Sequence, residues 1–411
     1  MSADSNESDP DSSEAGRSAT PVIGYCTNVH AGMSLKEIRG NLDTYACDVH
    51  RRLGTTDTLP IGLWLPAEAA RDLQDANERS AFCDWLRDRH LHVFTINGFP
   101  YGHFHRGRVK HDVYRPHWAD PRRLEYTLHL AAILADLHEA GAEVGISTLP
   151  IGWPADLGDG DMERAADNLL HAVDRLSRLA ERTGVVVHID LEPEPGCVLD
   201  RSSDVVAFFD QRLFKAAVDR ERVARHLRVC HDVCHAAVMF EDQHDVMNRY
   251  REAGVRVGKV QLSSAIRVDL RQRSDVERTE AVASLKPFSE DRYLHQTVVE
   301  SDGSHVFHED LPLALEAFGR TDRAGDEWRV HYHLPLFLDR VGPLRTTQGD
   351  VLACLDAIGP GDGVSAFEVE TYTWSVLPGS MRDVGLAEGI ARELDWAASR
   401  VAERLRQPGG R

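Results

Sequence analysis

The chain is short of positive charge. Its 47 Lys and Arg face 66 Asp and Glu, for a net charge of −19, and only five of the cations are lysines. Affinity for phosphate backbones and anionic lipid rests on clustered Lys and Arg, so neither a nucleic-acid partner nor membrane attachment is expected. No apolar run approaches the roughly 20 residues that span a bilayer. The opening "MSADSNESDPDSSEAGRSAT" lacks the basic and apolar stretches of a secretory leader and is rich in Ser and acid. Residues 1–20 are therefore expected to form a disordered acidic tail. Cysteine gives no framework either: seven residues, an odd number, lie scattered along the chain. That pattern reads as reduced thiols and a cytoplasmic protein. No Gly-rich turn follows the first strand candidate, which removes the support for a doubly wound dinucleotide fold. A small-molecule metabolite is the partner left to expect.

What the sequence does hold is an alternation of short apolar, β-branched runs with longer helical patterns. Strand candidates lie at Val22–Asn28, Pro60–Pro66, His92–Gly98, Glu143–Pro150, Gly184–Pro193, Leu227–Cys234, Arg256–Ser264 and Ala366–Trp374. Between two of them, Leu169, Val173, Leu176 and Leu179 recur at helical spacing before Gly184. Eight such units predict an α/β fold, a (β/α)8 TIM barrel occupying residues 21–406 as one domain. Two long insertions break the rhythm, at 98–121 and at about 266–327. A surplus run, "WRVHYHLPLF", follows the second and is expected to lie at the barrel top. Loops after barrel strands line the catalytic face, so both insertions should cover a site.

Carboxylates and imidazoles recur near the ends of these runs. Side chains alternate along a strand, so Asp190, Glu192 and Glu194 share one face, as do His331 with His333 and Glu368 with Glu370. Glu192 precedes Pro193 and Pro195, which end a ladder and leave it at the strand terminus. Asp232 and His235, three apart, converge if the strand turns into a helix just after Asp232. Charged groups on buried-type strands must be paired, hydrated or bound to a cation, and a divalent metal is the common solution at a barrel mouth. A salt bridge is the bland alternative for each glutamate. Asn28 and His30, just beyond the first strand, are candidate ligand contacts. Asn97, Tyr101, His103 and His105 suggest a covering loop, with Trp374 as a stacking wall.

With these residues in view, the chain resembles the xylose isomerase-like TIM barrels: sugar isomerases, sugar epimerases and endonuclease IV. "CHDVCHAA" is similar to that group's D-x-x-C-H segment. The resemblance implies a divalent ion (Mn, Zn or Mg) held by Glu192, Asp232, His235 and Glu370. Where relatives place His on the seventh strand, this chain has "KVQLSSA", so Gln261, His331 or His333 must fill the gap. More narrowly, "GYCTNVHAG", "NGFPYGHFH", "HIDLEPEPG", "VHYHLPLF" and "VETYTWSVLP" resemble the EboE family, described as metabolite traffic proteins. That implies processing or moving a secondary-metabolite precursor alongside other Ebo cluster proteins. Isomerase- or epimerase-like proton transfer through Glu192 and Glu370 is the leading expectation. An endonuclease IV-like phosphodiesterase and a non-catalytic carrier are the alternatives.

Overall fold

Each of the eight apolar runs forms a strand, because each is flanked by residues that end a ladder and by a helix long enough to return the chain. The computed structural model describes residues 20–105, 107–321, 325–381 and 383–405. The acidic tail expected over 1–20, save its last residue, and the C-terminal limit at 406 lie outside the described residues. Strands β1 (Val22–Cys26), β2 (Leu59–Trp64), β3 (Leu91–Asn97), β4 (Glu143–Thr148), β5 (Val186–Leu191), β6 (Leu227–Asp232), β7 (Val257–Leu262) and β14 (Ala366–Val369) pair in parallel. They close in the order β1-β14-β7-β6-β5-β4-β3-β2. The fold is a (β/α)8 barrel. The helix Asp161–Thr183 is typical of the outer ring: Leu169, Val173, Leu176 and Leu179 are buried, and Gly184 ends it at φ +74°. Only glycine takes that left-handed turn without steric cost. No described helix is long and apolar enough to cross a membrane.

The second insertion is larger than its sequence suggests. Between β7 and the helix Gln348–Ala357 it builds a six-stranded sheet from β8 (Ile266–Asp269), β9 (Thr297–Ser301), β10 (Ser304–His308), β11 (Glu327–Val330), β12 (Arg340–Val341) and β13 (Leu344–Thr346). The order is β10-β9-β11-β8-β13-β12, with every pairing antiparallel. It therefore runs to Thr346 and not to Glu327. The surplus run is a strand only as far as Val330. Beyond that the neighbours diverge: His331 N–H still donates to Gln296 O at 2.8 Å, but Leu334 N–H donates to Ser264 O at 2.8 Å, just past β7. This crossing from inserted sheet to barrel carries His331 and His333 over the mouth.

The barrel interior is polar where a packed barrel is usually aliphatic. Lys259 on β7 and Glu368 on β14 form an ion pair with both side chains fully buried. His188 Nδ1 lies 2.6 Å from Asp190 Oδ1. Glycines make the room: a Cβ on Gly62 would sit 1.5 Å from Glu368 Oε1, and one on Gly258 2.1 Å from Asp190 Oδ1. Removing one partner of a buried pair leaves an uncompensated charge. We expect Lys259→Met to destabilise the protein by about 3–5 kcal/mol in urea titration, with much of that recovered in Lys259→Met/Glu368→Leu. A single variant as stable as the wild type would show that the pair carries no such constraint.

Candidate metal centre and pocket

Three strand ends deliver carboxylates to the barrel mouth. After β5, Glu192 N–H makes a last bond to Thr148 O at 3.0 Å before Pro193 stops the ladder. After β14, Glu370 N–H bonds Leu262 O at 3.1 Å. Asp232 closes β6 and caps the short helix Val233–Val238, as the three-residue spacing to His235 suggests. Its Oδ1 accepts from His235 N–H at 2.9 Å and from Ser263 Oγ at 2.7 Å. Asp232 Oδ2 and Glu192 Oε2 are buried without a hydrogen-bond partner. Glu370 is held from three sides, by the amides of Asn28 (2.6 Å), Asn97 (3.2 Å) and Gln261.

The imidazoles are oriented by what their far nitrogens touch. His235 Nδ1 lies 2.8 Å from Pro193 O, and His333 Nδ1 lies 2.7 Å from Glu370 O. A carbonyl can only accept, so each Nδ1 carries the hydrogen and each Nε2 an open lone pair. His331 Nδ1 meets Gln296 Oε1 at 2.7 Å. That amide is fixed in turn, because its nitrogen lies 3.0 Å from Glu194 Oε1 and 3.2 Å from Pro195 O. His331 Nε2 stands 3.2 Å from the Nε2 of both His235 and His333. The Tyr372 hydroxyl lies 3.5 Å from the same His331 Nε2. With each Nδ1 hydrogen committed elsewhere, the neutral form of each ring turns its Nε2 lone pair toward this point.

Burial pushes the Glu192 carboxyl well above the usual carboxylate range, and Glu370 and Asp232 push it further. Glu370 is pushed up to about 8, first by burial and then by Asp232 and Glu368. Burial pulls His331 well down, and His333 down to about 4, with neighbouring imidazoles adding to both. Ligand atoms of Glu192, Asp232 and Glu370 lie within 4.8 Å of one another, as do those of Asp232, His235 and His333, and those of Glu194, His235 and His331. Crowded carboxylates with orphaned oxygens beside neutral imidazoles are a donor set that fits a divalent cation.

Above this cluster lies a small cavity of about 60 Å³. Its walls include Phe99, Phe104, Tyr114, Tyr293 and Tyr372, with Glu194 and Lys110 among the polar groups. Lys110 is not free, since its ammonium pairs with Asp310. The pocket therefore offers an acidic, imidazole-rich floor and an aromatic wall.

No protein-family model matches the sequence, and no curated protein does. Solved structures do match. An IolI protein with a bound zinc atom is 11% identical over 94% of this chain and 99% of its own, with a TM-score of 0.47. A xylose isomerase-like TIM barrel protein from Mycobacterium smegmatis in complex with magnesium is 12% identical over 94% and 98%, also at 0.47. A D-tagatose 3-epimerase-like protein is 10% identical over 93% and 99%, again at 0.47. The structural neighbours are xylose isomerase-like barrels. At such identities and scores the likeness is one of architecture.

The residues read from sequence divide into two groups. Asn28, Asn97, Glu192, His235, His331, His333 and Glu370 line the cavity, and Asp232 lies within ligand distance of them. Gln261 sits against Glu370 but turns its amide nitrogen to it, while its oxygen accepts from Cys230. It positions a carboxylate and offers no donor atom to a cation. His30 stacks on Tyr45 at 4.8 Å and bonds Tyr25 at 3.1 Å, behind the site. Trp374 does not form the wall. Residues Tyr372–Ser375 coil into a 3-10 turn, so strand alternation ends at Val369 and Trp374 swings to Glu393 on the last helix at 2.9 Å. Tyr372 takes its place. The first insertion does line the pocket, but through Phe99, Phe104, Val109 and Tyr114. Tyr101 packs on Tyr126, His103 is exposed, and His105 bonds Asn28 O and Tyr293 from behind the wall. Tyr293 and Tyr372 were not singled out, and Glu194 was read as sharing a strand face with Glu192 but given no role in the site.

The raised carboxyl of Glu370 has a consequence for the metal-free protein. With its folded pKa of about 8 above the ordinary 4.5, the folded state holds this proton more tightly, so stability falls as pH rises toward 8. The neutral imidazoles act oppositely, but only below their ordinary 6.5. Between pH 6.5 and 8 we expect chelator-treated wild type to lose stability in urea titrations and Glu370→Gln to lose less, the remainder coming from the raised carboxyl of Glu192. Equal slopes would contradict the assignment.

Proposed function

We propose that the barrel mouth binds a divalent cation and acts on a small metabolite by proton transfer next to an oxygen-bearing carbon. The observation that carries this reading is the set of buried, unpartnered oxygens on Glu192 and Asp232 beside Glu370 and the Nε2 of His333. Glu192, Asp232, Glu370 and His333 would hold the ion, with His333 filling the place that Gln261 leaves. A cation there supplies Lewis acidity toward a carbonyl or hydroxyl oxygen. The chain's own residues do the rest. Asn28, Asn97 and Gln261 fix Glu370 as an acceptor. Glu192, which has no such clamp, is the freer carboxylate to take and return a proton. The aromatic wall excludes water and suits a ligand with an oxygen-rich head and a flatter apolar body.

The EboE-like motifs support placing that chemistry in the processing or movement of a secondary-metabolite precursor, with other products of the same gene cluster as partners. A phosphodiesterase gains nothing from this pocket: its lysine is already paired and the net charge is −19. A carrier would need the same cavity without the proton transfer, and an exchange experiment separates the two.

Incubating the protein with cell metabolite extract in D₂O should place deuterium on carbon in at least one metabolite. Glu192→Gln should slow that by about a hundredfold or more while retaining metal, since a positioned general base contributes on that scale. Asp232→Ala should lose both metal and exchange. Extracts unchanged by the metal-loaded wild type would favour the carrier.

A further inference from the structure

We propose that Glu393, which lies outside the pocket, is a positioning residue for the metal centre: its carboxylate fixes the two segments that carry His333 and Glu370 relative to one another. This rests on the reading above and extends it to a residue that lines no part of the cavity. Glu393 is fully buried on the last helix, Leu386–Arg404. Its Oε1 accepts from Leu336 N–H at 3.0 Å and from Thr371 Oγ1 at 2.6 Å, and its Oε2 accepts from Trp374 Nε1 at 2.9 Å. Leu336 stands three residues after His333, and Thr371 directly follows Glu370. One side chain therefore holds both segments.

Three donors are more than a tether needs. None of them is charged, and a buried carboxylate held by neutral donors is a costly way to stabilise a fold. A charge kept under that penalty points to placement. The helix is also shaped for the contact: Gly389, one turn before Glu393 and on the same face, leaves room for the Trp374 ring, where a Cβ would lie 2.3 Å from the indole.

Between the two segments the contacts continue inward. Thr373 Oγ1 donates to His333 O, and His333 Nδ1 donates to Glu370 O at 2.7 Å. A shift of the turn at 371–374 is thus passed to the carbonyl that orients the His333 ring and to the backbone that carries Glu370. Tyr372, in the same turn, moves with them. Outer partners of this kind orient metal ligands and set how tightly a metal is held.

Metal affinity of the folded protein tests the proposal. Full-length protein at pH 8, above the value of about 7 to which burial pushes the Glu393 carboxyl, is titrated with Co²⁺ in competition with a chelator. Glu393→Gln keeps the size of the side chain but replaces one acceptor oxygen with a donor. It should bind Co²⁺ about tenfold or more weakly and alter the Co²⁺ absorption spectrum. Thr371→Val, which removes one donor, should also weaken binding, and the double variant should lose little more than Glu393→Gln alone, because both act through one tie. Leu169→Ala, in the core under an outer helix, should lower stability in urea and leave Co²⁺ affinity unchanged. Co²⁺ bound as tightly by Glu393→Gln as by the wild type, additive losses in the double variant, or an equal loss in Leu169→Ala would overturn the positioning role and leave the metal centre standing. A wild type that binds no Co²⁺ would remove the functional reading together with this one.

Discussion

Like charges packed out of water at the end of a barrel repel unless a counter-charge is supplied, and the mouth of this protein is built around that constraint. Glu192, Asp232 and Glu370 approach within ligand distance of one another and are buried. Amide and hydroxyl donors satisfy part of the demand: three side-chain amides reach Glu370, and Ser263 with one backbone N–H reaches Asp232. Two carboxylate oxygens remain without partners. A cation satisfies them where neutral donors do not, and the imidazoles stand with their lone pairs turned inward.

The rest of the molecule can be understood as support for that arrangement. Below the mouth, Lys259 pairs with Glu368, and His188 hydrogen-bonds Asp190. Glycines on β2 and β7 give those carboxylates space. Above the mouth, the inserted sheet ends β11 at Val330, and the chain crosses to Ser264, which fixes His331 and His333 over the carboxylates. Both insertions then close the wall, since Phe104 from the first packs against Tyr293 from the second and Tyr372 after β14.

The barrel was legible because its signals are local. Each strand is a short apolar run with a punctuating residue after it, and each helix repeats at its own period. Glu192, Asp232, His235 and Glu370 could be singled out for the same reason: they sit where those runs end. The inserted sheet was not legible. Its strands are two to five residues long, β10 is largely exposed, and their antiparallel pairing joins segments distant in sequence. The position of Trp374 depended on whether extended backbone continues past Val369, which a 3-10 turn decides. The aromatic wall escaped notice because Tyr293 and Tyr372 meet Phe104 only through tertiary packing.

The central claim is that a cation sits among the carboxylates at the barrel mouth. Crystals grown with Mn²⁺ or Zn²⁺ and measured across the metal's absorption edge give an anomalous difference map that locates it directly. The account predicts a strong peak bonded to Glu192, Asp232 and Glu370. A map with no peak there, from crystals whose protein shows the same closed barrel and the same three carboxylates in contact, would contradict it.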